Sequence, residues 1–445
     1  MVRINIFSLL SMKIILQLTC VFLSIISLMA QNFTSYFTGN QQDMTTQAIG
    51  GVCLMGGASE DDNAMKWFLE KANGGDVLIL RTSGADGYNN YMYNTLGVNI
   101  NSVETIVCNN AAASNENYIH ERIQKAEAIW FAGGNQWTYI SYWRNTPIDS
   151  LINIAISERN IAIGGTSAGM AIMGDYYFSA QNGTISSTNA LQDPYNSSMT
   201  VDSIAFINNT KLQNTITDTH FDNPDRKGRL MAFMSRIYND YNIQPKAIAC
   251  DEYTAVCIDN NGIAKVYGGY PQYDDFAYFV QVNCEIPNPT PEICNSAMPL
   301  TWSHNNQALK ICKIPGTESG DNNFNLNDWL SNTGGNWFNW SANQGVFSES
   351  IGSEPNCLTT IGNLESEDIT WSYNPNEKLL VFKSDSIDLS NCSLVITNLL
   401  GQSIDFNHSL NSQEIQININ DKSSGILFIK IMNKENVLFQ FKTAH

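Results

Sequence analysis

The chain has 445 residues, with 42 acidic and 24 basic side chains and a formal net charge of −18 at pH 7. The length allows two or three domains. No extended basic patch is available to neutralise phosphates, which excludes nucleic acid as a partner. The sequence contains neither a CxxC pair, nor a metal-ligand spacing, nor a glycine-rich phosphate loop before a lysine. We therefore expect no metal and no other cofactor.

Residues 1–30 have the pattern of a secretory signal peptide. Lys13 precedes the apolar run Ile14–Met29, and Ala30 is a small residue suited to cleavage. A single-pass anchor is the alternative, but this run, interrupted by Gln17, is short for a bilayer core of about 30 Å. We expect a mature chain without a stable membrane span, secreted or held at the cell surface by way of the periplasm.

Short apolar strands alternate with helical stretches over the first 270 residues, a rhythm typical of a parallel sheet covered by helices on both faces. The predicted strands are Val52–Met55, Val77–Arg81, Thr105–Val107, Ala128–Phe131, Ile161–Gly164, Thr215–Thr219 and Ala247–Ile258. The predicted helices lie near Asn63–Ala72, Asn115–Ala126, Ile148–Glu158 and Arg226–Tyr241.

A G-x-S-x-G pattern, residues 165–169, follows the fifth of these strands and makes Ser167 a candidate nucleophile. The pattern needs both glycines, because the strand-to-helix turn is tight and a Cβ on either side would crowd the backbone. A helix start after Ser167 would leave the Ala168 N–H free to bind an oxyanion. Glycine-rich turns of this kind also occur without catalysis.

The serine needs a base, and the chain has five histidines. His220 is favoured because it ends a predicted strand, where open α/β sheets place their chemistry. His304 is the second choice. The other three, His120, His408 and His445, are poor candidates because they lie in a polar helix, in a C-terminal segment and at the last residue.

A third group must orient the imidazole and stabilise its cation. Asp251 and Glu252 both lie in an apolar stretch that is predicted to be a strand, where burying an unpaired acid is costly. One of the two is therefore expected to be functional. The alternative is an acid on the solvated face of an edge strand.

Four segments resemble, in order, the motifs of peptidase family S51, the cyanophycinases and aspartyl dipeptidases, over roughly residues 45–280. The segments are Phe131–Gln136, Gly165–Gly169, Asp218–Phe221 with Arg226 and the run Gly228–Leu230, and Asp251–Ala255. The resemblance implies a flavodoxin-like α/β fold, similar to class I glutamine amidotransferases, with a parallel sheet between two layers of helices.

For the site, the resemblance implies a triad of Ser167 as nucleophile, His220 as base and Glu252 as orienting acid. It also implies an oxyanion hole formed by the N–H groups of Gly134 and Ala168. The substrate-binding residues implied are Gln136, Asp218, Arg226 and Arg229.

Two positions depart from the cyanophycinase pattern, with Thr219 where that pattern has glutamine and Pro224 near a position of arginine. Arg226 and Arg229 match the other basic positions. We expect both guanidinium groups to bind a substrate carboxylate bidentately. The alternative is that both arginines merely solvate the surface of a helix.

The composition changes to Asn, Trp, Gly and Ser after about residue 281. Residues 281–365 are predicted to form a β-rich extension in which Trp302, Trp329, Trp337 and Trp340 pack onto the core, with exposed, carbohydrate-binding tryptophans as the alternative. Within it, Cys284 and Cys294 flank a proline-rich loop that they could close, whereas Cys53 and Cys108 are expected to be free.

Residues 368–445 alternate in β fashion and resemble the C-terminal sorting domain of the type IX secretion system of Bacteroidetes. The segments that carry this resemblance are residues 398–402 and 423–425. A small β-sandwich is therefore expected, and a plain adhesion module is the alternative.

The sequence thus favours a secreted serine exopeptidase that hydrolyses aspartyl peptide bonds. Its expected partners are a peptide or aspartyl-polymer substrate, the secretion machinery and a second copy of the chain in a homodimer. The alternatives are an α/β-hydrolase-type esterase with the set Ser167, Asp251 and His304, and a catalytically inactive surface-binding protein.

Overall fold

The computed structural model describes residues 31–203, 206–356, 370–374, 379–384, 387–398, 404, 406–418, 426–433 and 436–444. The predicted signal peptide, residues 1–30, lies outside the described residues. The chain divides into two units, the first within residues 1–282 and 290–354, and the second within residues 283–289 and 355–445. In the part of the chain that the structure describes, no helix is long and apolar enough to cross a bilayer.

The first unit alternates strands and helices over most of its length. Its strands are β1 (Phe33–Gly39), β2 (Gly51–Met55), β3 (Asp76–Arg81), β4 (Ser102–Cys108), β5 (Ala128–Phe131), β6 (Ala162–Thr166), β7 (Tyr177–Phe178), β8 (Val201–Asp202), β9 (Thr215–Asp218), β10 (Lys246–Cys250), β11 (Ala255–Ile258), β12 (Ile263–Tyr267), β13 (Phe276–Val282), β14 (Leu309–Pro315), β15 (Asn323–Asn325), β16 (Asn332–Thr333), β17 (Asn336–Asn343) and β18 (Val346–Ile351). Its α-helices are α1 (Asp62–Glu70), α2 (Asn117–Lys125), α3 (Gln136–Trp143), α4 (Pro147–Arg159), α5 (Ala168–Ala171), α6 (Ser187–Gln192) and α7 (Lys227–Tyr241).

A parallel sheet is the centre of this unit. The strands β4, β3, β5, β6 and β2 are neighbours in that order and pair in parallel. β1 joins one edge antiparallel, and β11, β12, β15 and β16 extend the other edge to ten strands. The predicted α/β architecture is confirmed.

Helices cover both faces of the parallel strands, and alternate residues of β3 show this. Val77 and Ile79 pack in the core cluster that contains the apolar side of α1, whereas Leu78 and Leu80 pack in the cluster that contains α2, α3 and α4. Because successive side chains of a strand point to opposite faces, the sheet is buried on both sides.

The predicted strand Ala247–Ile258 is wrong, because the structure breaks it into β10 and β11 with residues 251–254 as a turn. β10 pairs in parallel with β9 in a second, six-stranded sheet, whereas β11 pairs with β2 in the first sheet. The chain crosses from one sheet to the other at this turn. The strands were predicted to form one sheet, but β9 and β10, which precede His220 and Asp251, belong to the second sheet.

Three strands from the predicted β-rich extension, β14, β17 and β18, continue the six-stranded sheet antiparallel beyond β13. Trp302, Trp329 and Trp340 are buried, and Trp337 packs half-buried against the core. Cys294 is a buried free thiol and Cys284 is disulfide-bonded, so the predicted Cys284–Cys294 bridge is wrong. Cys53 and Cys108 are free and buried, as expected.

The second unit contains two small antiparallel sheets. Their strands are β19 (Thr370–Asn374), β20 (Leu379–Lys383), β21 (Ser393–Asn398), β22 (His408–Leu410), β23 (Glu414–Asn418), β24 (Ile426–Asn433) and β25 (Asn436–Ala444). One sheet has the order β19-β20-β23-β22 and the other β21-β24-β25. Phe382 and Ile415 from the first sheet share one apolar cluster with Ile396 and Ile429 from the second, as in a β-sandwich.

Candidate active site

Ser167 lies between β6 and the short helix α5 with a strained backbone, φ +52° and ψ −115°. A Cβ on Gly169 would lie 2.2 Å from the carbonyl oxygen of Phe131, and one on Gly165 would lie 2.7 Å from the carbonyl carbon of Gly169. Both flanking positions therefore require glycine, as the motif predicts. A non-glycine residue in this conformation persists only where the surroundings enforce it, and such residues cluster at functional sites.

His220 follows β9 and contacts the serine. Its Nε2 lies 2.8 Å from Ser167 Oγ, and its own backbone, with φ +47°, is also left-handed. A Cβ on Gly57 would lie 2.4 Å from His220 Nε2. Gly57 thus lets its backbone approach the imidazole closely.

Glu252 contacts the other imidazole nitrogen. Its Oε1 lies 2.6 Å from His220 Nδ1. This hydrogen bond is the largest cause that lowers the pKa of the Glu252 carboxyl from its usual value. An ionised carboxylate at Nδ1 keeps Nε2 free to accept a proton from Ser167 and stabilises the imidazolium that results.

The end of β2 holds the backbone of these residues together. The carbonyl of Met55 accepts from the Ser167 N–H at 3.1 Å, and the carbonyl of Gly56 accepts from the His220 N–H at 2.8 Å. The carbonyl of Gly57 accepts from the N–H of Tyr253, next to Glu252, at 3.1 Å. Sequence reasoning missed these residues, although a Gly-Gly pair directly after a buried strand is a signal for close backbone approach.

Asp251 points away from the histidine. The Tyr278 hydroxyl donates to its Oδ2 at 3.4 Å, and its buried Oδ1 has no hydrogen-bond partner. Burial, followed by the negative charge of Asp222, raises the pKa of Asp251 to about 8. Of the two candidate acids, the structure thus brings Glu252, and not Asp251, to His220.

Of the two predicted oxyanion donors, Ala168 directly follows the serine and Gly134 follows a residue that approaches it. Ala168 is the first residue of α5, so its N–H has no acceptor within the helix. A Cβ on Gly133, next to Gly134, would lie 3.7 Å from the Ser167 Cβ. Gln136 begins α3, and its side-chain Nε2 donates to the backbone carbonyl of Phe178 at 2.6 Å.

Arg229 is occupied by a buried ion pair with Asp218. Its Nε donates to Asp218 Oδ2 at 2.9 Å, its Nη2 donates to Oδ1, and both residues are buried. The guanidinium also lies over the rings of Phe178 and Phe233, at 5.5 and 5.6 Å. The expected capture of a substrate carboxylate by both arginines therefore does not hold for Arg229, because Asp218 already neutralises it.

Arg226 lies half-buried beside the triad. Its Nη1 donates to the carbonyl of Thr219 at 2.7 Å. Burial, followed by the positive charge of Arg229, lowers the pKa of the Arg226 guanidinium. Among the described residues it forms no ion pair with a carboxylate within 4.0 Å.

The remaining described histidines do not contact Ser167. His304 Nε2 lies 2.7 Å from the carbonyl of Thr290, and its Nδ1 lies 3.8 Å from Glu292 Oε1. His120 and His408 likewise contact backbone carbonyls, and His445 lies outside the described residues. The alternative set of Ser167, Asp251 and His304 is therefore not brought together.

Comparison with known proteins gives two family matches, one distant curated relative and several similar solved structures. A cyanophycinase from Geminocystis herdmanii is 27% identical over 148 residues, which are 33% of this chain and 48% of that protein. The chain thus spans about half the length of this curated relative. A peptidase from an acI-B1 Actinobacterium is a similar solved structure, with 15% identity, a TM-score of 0.37 and coverage of 50% of this chain and 89% of that one. A candidate peptidase E protein from Listeria monocytogenes EGD-e has 16% identity, a TM-score of 0.32 and coverage of 50% and 100%.

The family matches agree with both resemblances read from the sequence. The first covers the segments that carry Ser167, His220 and Glu252, and the second covers β20 to β24 and most of β25 in the second unit. Residues 81–266 match peptidase family S51, and residues 374–441 match the secretion system C-terminal sorting domain.

Proposed function

We propose that this protein is a secreted serine peptidase that hydrolyses peptide bonds next to aspartyl residues through an acyl-enzyme. The observation that carries the proposal is the unbroken hydrogen-bond chain from Ser167 Oγ through His220 to Glu252, at 2.8 and 2.6 Å. These distances are within the reach that a nucleophile, a base and an orienting acid require. The match to peptidase family S51 supports the same chemistry.

In the first half of the reaction, the Ser167 Oγ attacks the carbonyl carbon while His220 Nε2 takes the hydroxyl proton. Glu252 stabilises the imidazolium through Nδ1–H. The C–N bond then breaks, the amine leaves with the proton from Nε2, and the acyl group stays on Oγ as an ester. Water attacks this ester with His220 again as base, and the acid product leaves as Oγ regains its proton.

We assign stabilisation of the tetrahedral oxyanion to the N–H groups of Gly134 and Ala168. The Ala168 N–H is at the start of α5 and has no acceptor within that helix. Removing one donor of this kind costs about 10²–10³ in kcat in a serine protease. Because both donors are backbone groups, a substitution at either position other than proline keeps the N–H.

The aspartyl side chain is proposed to bind Arg226, the half-buried guanidinium beside the triad. A cavity of about 550 Å³ that Tyr253 lines is an unsuitable site for the substrate carboxylate. Its lining also includes the acidic residues Glu60, Asp61, Asp62 and Asp275. Those four carboxylates repel a negatively charged side chain. The substrate carboxylate is therefore directed to Arg226 and away from this cavity.

Secretion is assigned to the sorting domain in the second unit, and passage through the periplasm is part of the proposal. Residues 374–441 match the secretion system C-terminal sorting domain. This unit supplies none of the proposed catalytic groups, since Ser167, His220 and Glu252 all lie in the first unit. Catalysis and export are thus assigned to separate parts of the chain.

The test is to measure hydrolysis of an α-aspartyl dipeptide, a β-aspartyl-arginine polymer and a simple ester by the wild type, Ser167→Ala, His220→Ala and His304→Ala. We expect the first two variants to lose nearly all turnover with little change in thermal midpoint, because triad members act as a unit. His304→Ala, whose side chain contacts Thr290 and Glu292, is the matched control. Full turnover in Ser167→Ala, or loss in His304→Ala alone, would refute the assignment.

A further inference from the structure

The loop after His220 reaches across to Glu252 at two points. Asp222 Oδ1 accepts a hydrogen bond from the backbone N–H of Glu252 at 2.9 Å. Asn223 Nδ2 lies 3.4 Å from Glu252 Oε2, the oxygen that does not face His220. The proposed base and its acid come directly after the neighbouring strands β9 and β10, and these two contacts link the histidine loop to the glutamate turn.

Glu252 lies in the turn that takes the chain from one sheet to the other, and each N–H of this turn is anchored. Three of four successive N–H groups bond to backbone carbonyls: Asp251 to Phe276, Tyr253 to Gly57 and Thr254 to Asp251. The Glu252 N–H is the exception, because a side chain, that of Asp222, accepts it. The residue that faces the histidine is thus the one whose backbone depends on a side chain.

The geometry points to Asp222 as a positioning residue for Glu252, with Asn223 steadying the second carboxylate oxygen. This inference rests on the proposed function, in which Glu252 orients His220. Glu252 has three side-chain torsions, and its side chain is 19% exposed, so packing alone does not fix it. A hydrogen bond to its backbone N–H fixes the position of the backbone from which the side chain extends. Small misplacements of catalytic groups lower the rate strongly.

Loss of the Asp222 side chain is expected to lower the catalytic rate and not the stability of the fold. Asp222 and Asn223 are exposed, and hydrogen bonds on the surface exchange readily with water. Loss of the Asp222 carboxylate is therefore expected to leave the thermal midpoint within about 2 °C of the wild type. An acceptor of the same shape should restore the position of Glu252, since the bond needs an oxygen and not a charge.

The experiment compares Asp222→Ala, Asp222→Asn and Asp225→Ala in the full chain. Asp225 is the matched control, an exposed aspartate on the same loop whose Oδ1 accepts from the Lys227 N–H at 3.0 Å without contacting Glu252. We expect Asp222→Ala to lower kcat by about tenfold to a hundredfold with KM changed less than about twofold. Asp222→Asn should keep most of the activity because its amide oxygen can accept the same bond, and Asp225→Ala should resemble the wild type.

A measurement without substrate separates this inference from the proposed function. The His220 Nδ1 proton in its bond to Glu252 gives a downfield NMR signal, which Glu252→Gln identifies by shifting it. Asp222→Ala should weaken or shift this signal, whereas Asp225→Ala should not. In an enzyme that depends on Ser167, the inference requires the changed signal and the lowered kcat together, and either alone overturns it. If Ser167→Ala stays active, the proposed function fails, while the signal still reports whether Asp222 holds Glu252.

Discussion

Arg229→Ala should damage the fold of the first unit, whereas Arg226→Ala should damage substrate binding. Arg229 donates two hydrogen bonds to Asp218, both side chains are at most 5% exposed, and the guanidinium lies over two phenylalanine rings. Removing one member of a buried, hydrogen-bonded pair leaves an uncompensated charge and costs about 3–5 kcal/mol of unfolding free energy. At about 2–4 °C per kcal/mol, the thermal midpoint should fall by roughly 6–20 °C.

Arg226 offers a matched comparison, since it lies near the start of the same helix but has no ion pair among the described residues. Its substitution should keep the thermal midpoint and raise KM for aspartyl substrates by roughly one to two orders of magnitude, as for a charge-assisted bond of about 1.5–3 kcal/mol. Lysine at 226 should rescue only partly, because an ammonium cannot bind a carboxylate bidentately. The assay is a thermal melt and a Michaelis curve for each variant. An unchanged melt for Arg229→Ala with a KM raised as in Arg226→Ala would refute the reasoning, because both arginines would then bind substrate.

Three further predictions concern the acids and the tail. Glu252→Gln should lower kcat by about 10³–10⁴, because it no longer stabilises the imidazolium, whereas Asp251→Asn should lower it far less; the reverse ranking in steady-state kinetics would assign the orienting role to Asp251. Burial raises the pKa of Asp251 to about 8, so the folded state holds a proton that the unfolded chain releases near pH 4, and stability falls as pH rises from about 4 to 8. Asp251→Asn should therefore stabilise the protein increasingly over that range. A difference in thermal midpoint between variant and wild type that is equal at pH 4 and pH 8 would contradict this. A chain ending after Ile361 should fold and hydrolyse substrate but stay in the periplasm of its host, and its appearance in the medium would show that the tail is not an export signal.

The sequence was sufficient for the parts of the fold that local chemistry determines. Both glycines around Ser167 are required by contacts under 3 Å that any Cβ would make, so the motif carries its own geometry. The helices α1, α2, α4 and α7 overlap their predicted ranges, and in α1, α2 and α4 the buried side chains recur at the helical spacing. In each case the signal lies within about a dozen neighbouring residues.

Tertiary contacts decided the features that the sequence could not provide. Residues 247–258 are apolar apart from the two acids and Thr254, and this composition predicts one strand, but the chain changes sheets at residues 251–254. The change places Asp251 against Tyr278 and Glu252 against His220. Neighbouring acids with similar sequence context thus differ in their contacts, because the turn directs one to Tyr278 on β13 and the other to His220 after β9.

The pairing of Arg229 with Asp218 has the same origin. Asp218 ends β9 and Arg229 lies at the start of α7. From the sequence alone, a basic cluster after the histidine is equally compatible with binding a carboxylate ligand and with pairing to an acid of the same chain. Only burial distinguishes the two outcomes. A guanidinium removed from water must have a partner at all times, which an occasional ligand cannot supply, so the more deeply buried Arg229 pairs internally. Arg226 is the arginine that we propose for substrate binding.

The proposed triad also depends on a strand outside the segment that matches peptidase family S51. The match to peptidase family S51 begins at residue 81, yet the carbonyls of Met55, Gly56 and Gly57 accept from the backbones of Ser167, His220 and Tyr253. Gly57 has a φ of +122° and no room for a Cβ beside the imidazole, so the position is open to glycine alone. β2 lies between β6 and β11 in the first sheet, and its end is where the serine strand, the histidine loop and the glutamate turn meet. β2, which supplies none of the proposed catalytic groups, therefore helps to set the relative position of the three segments that carry them.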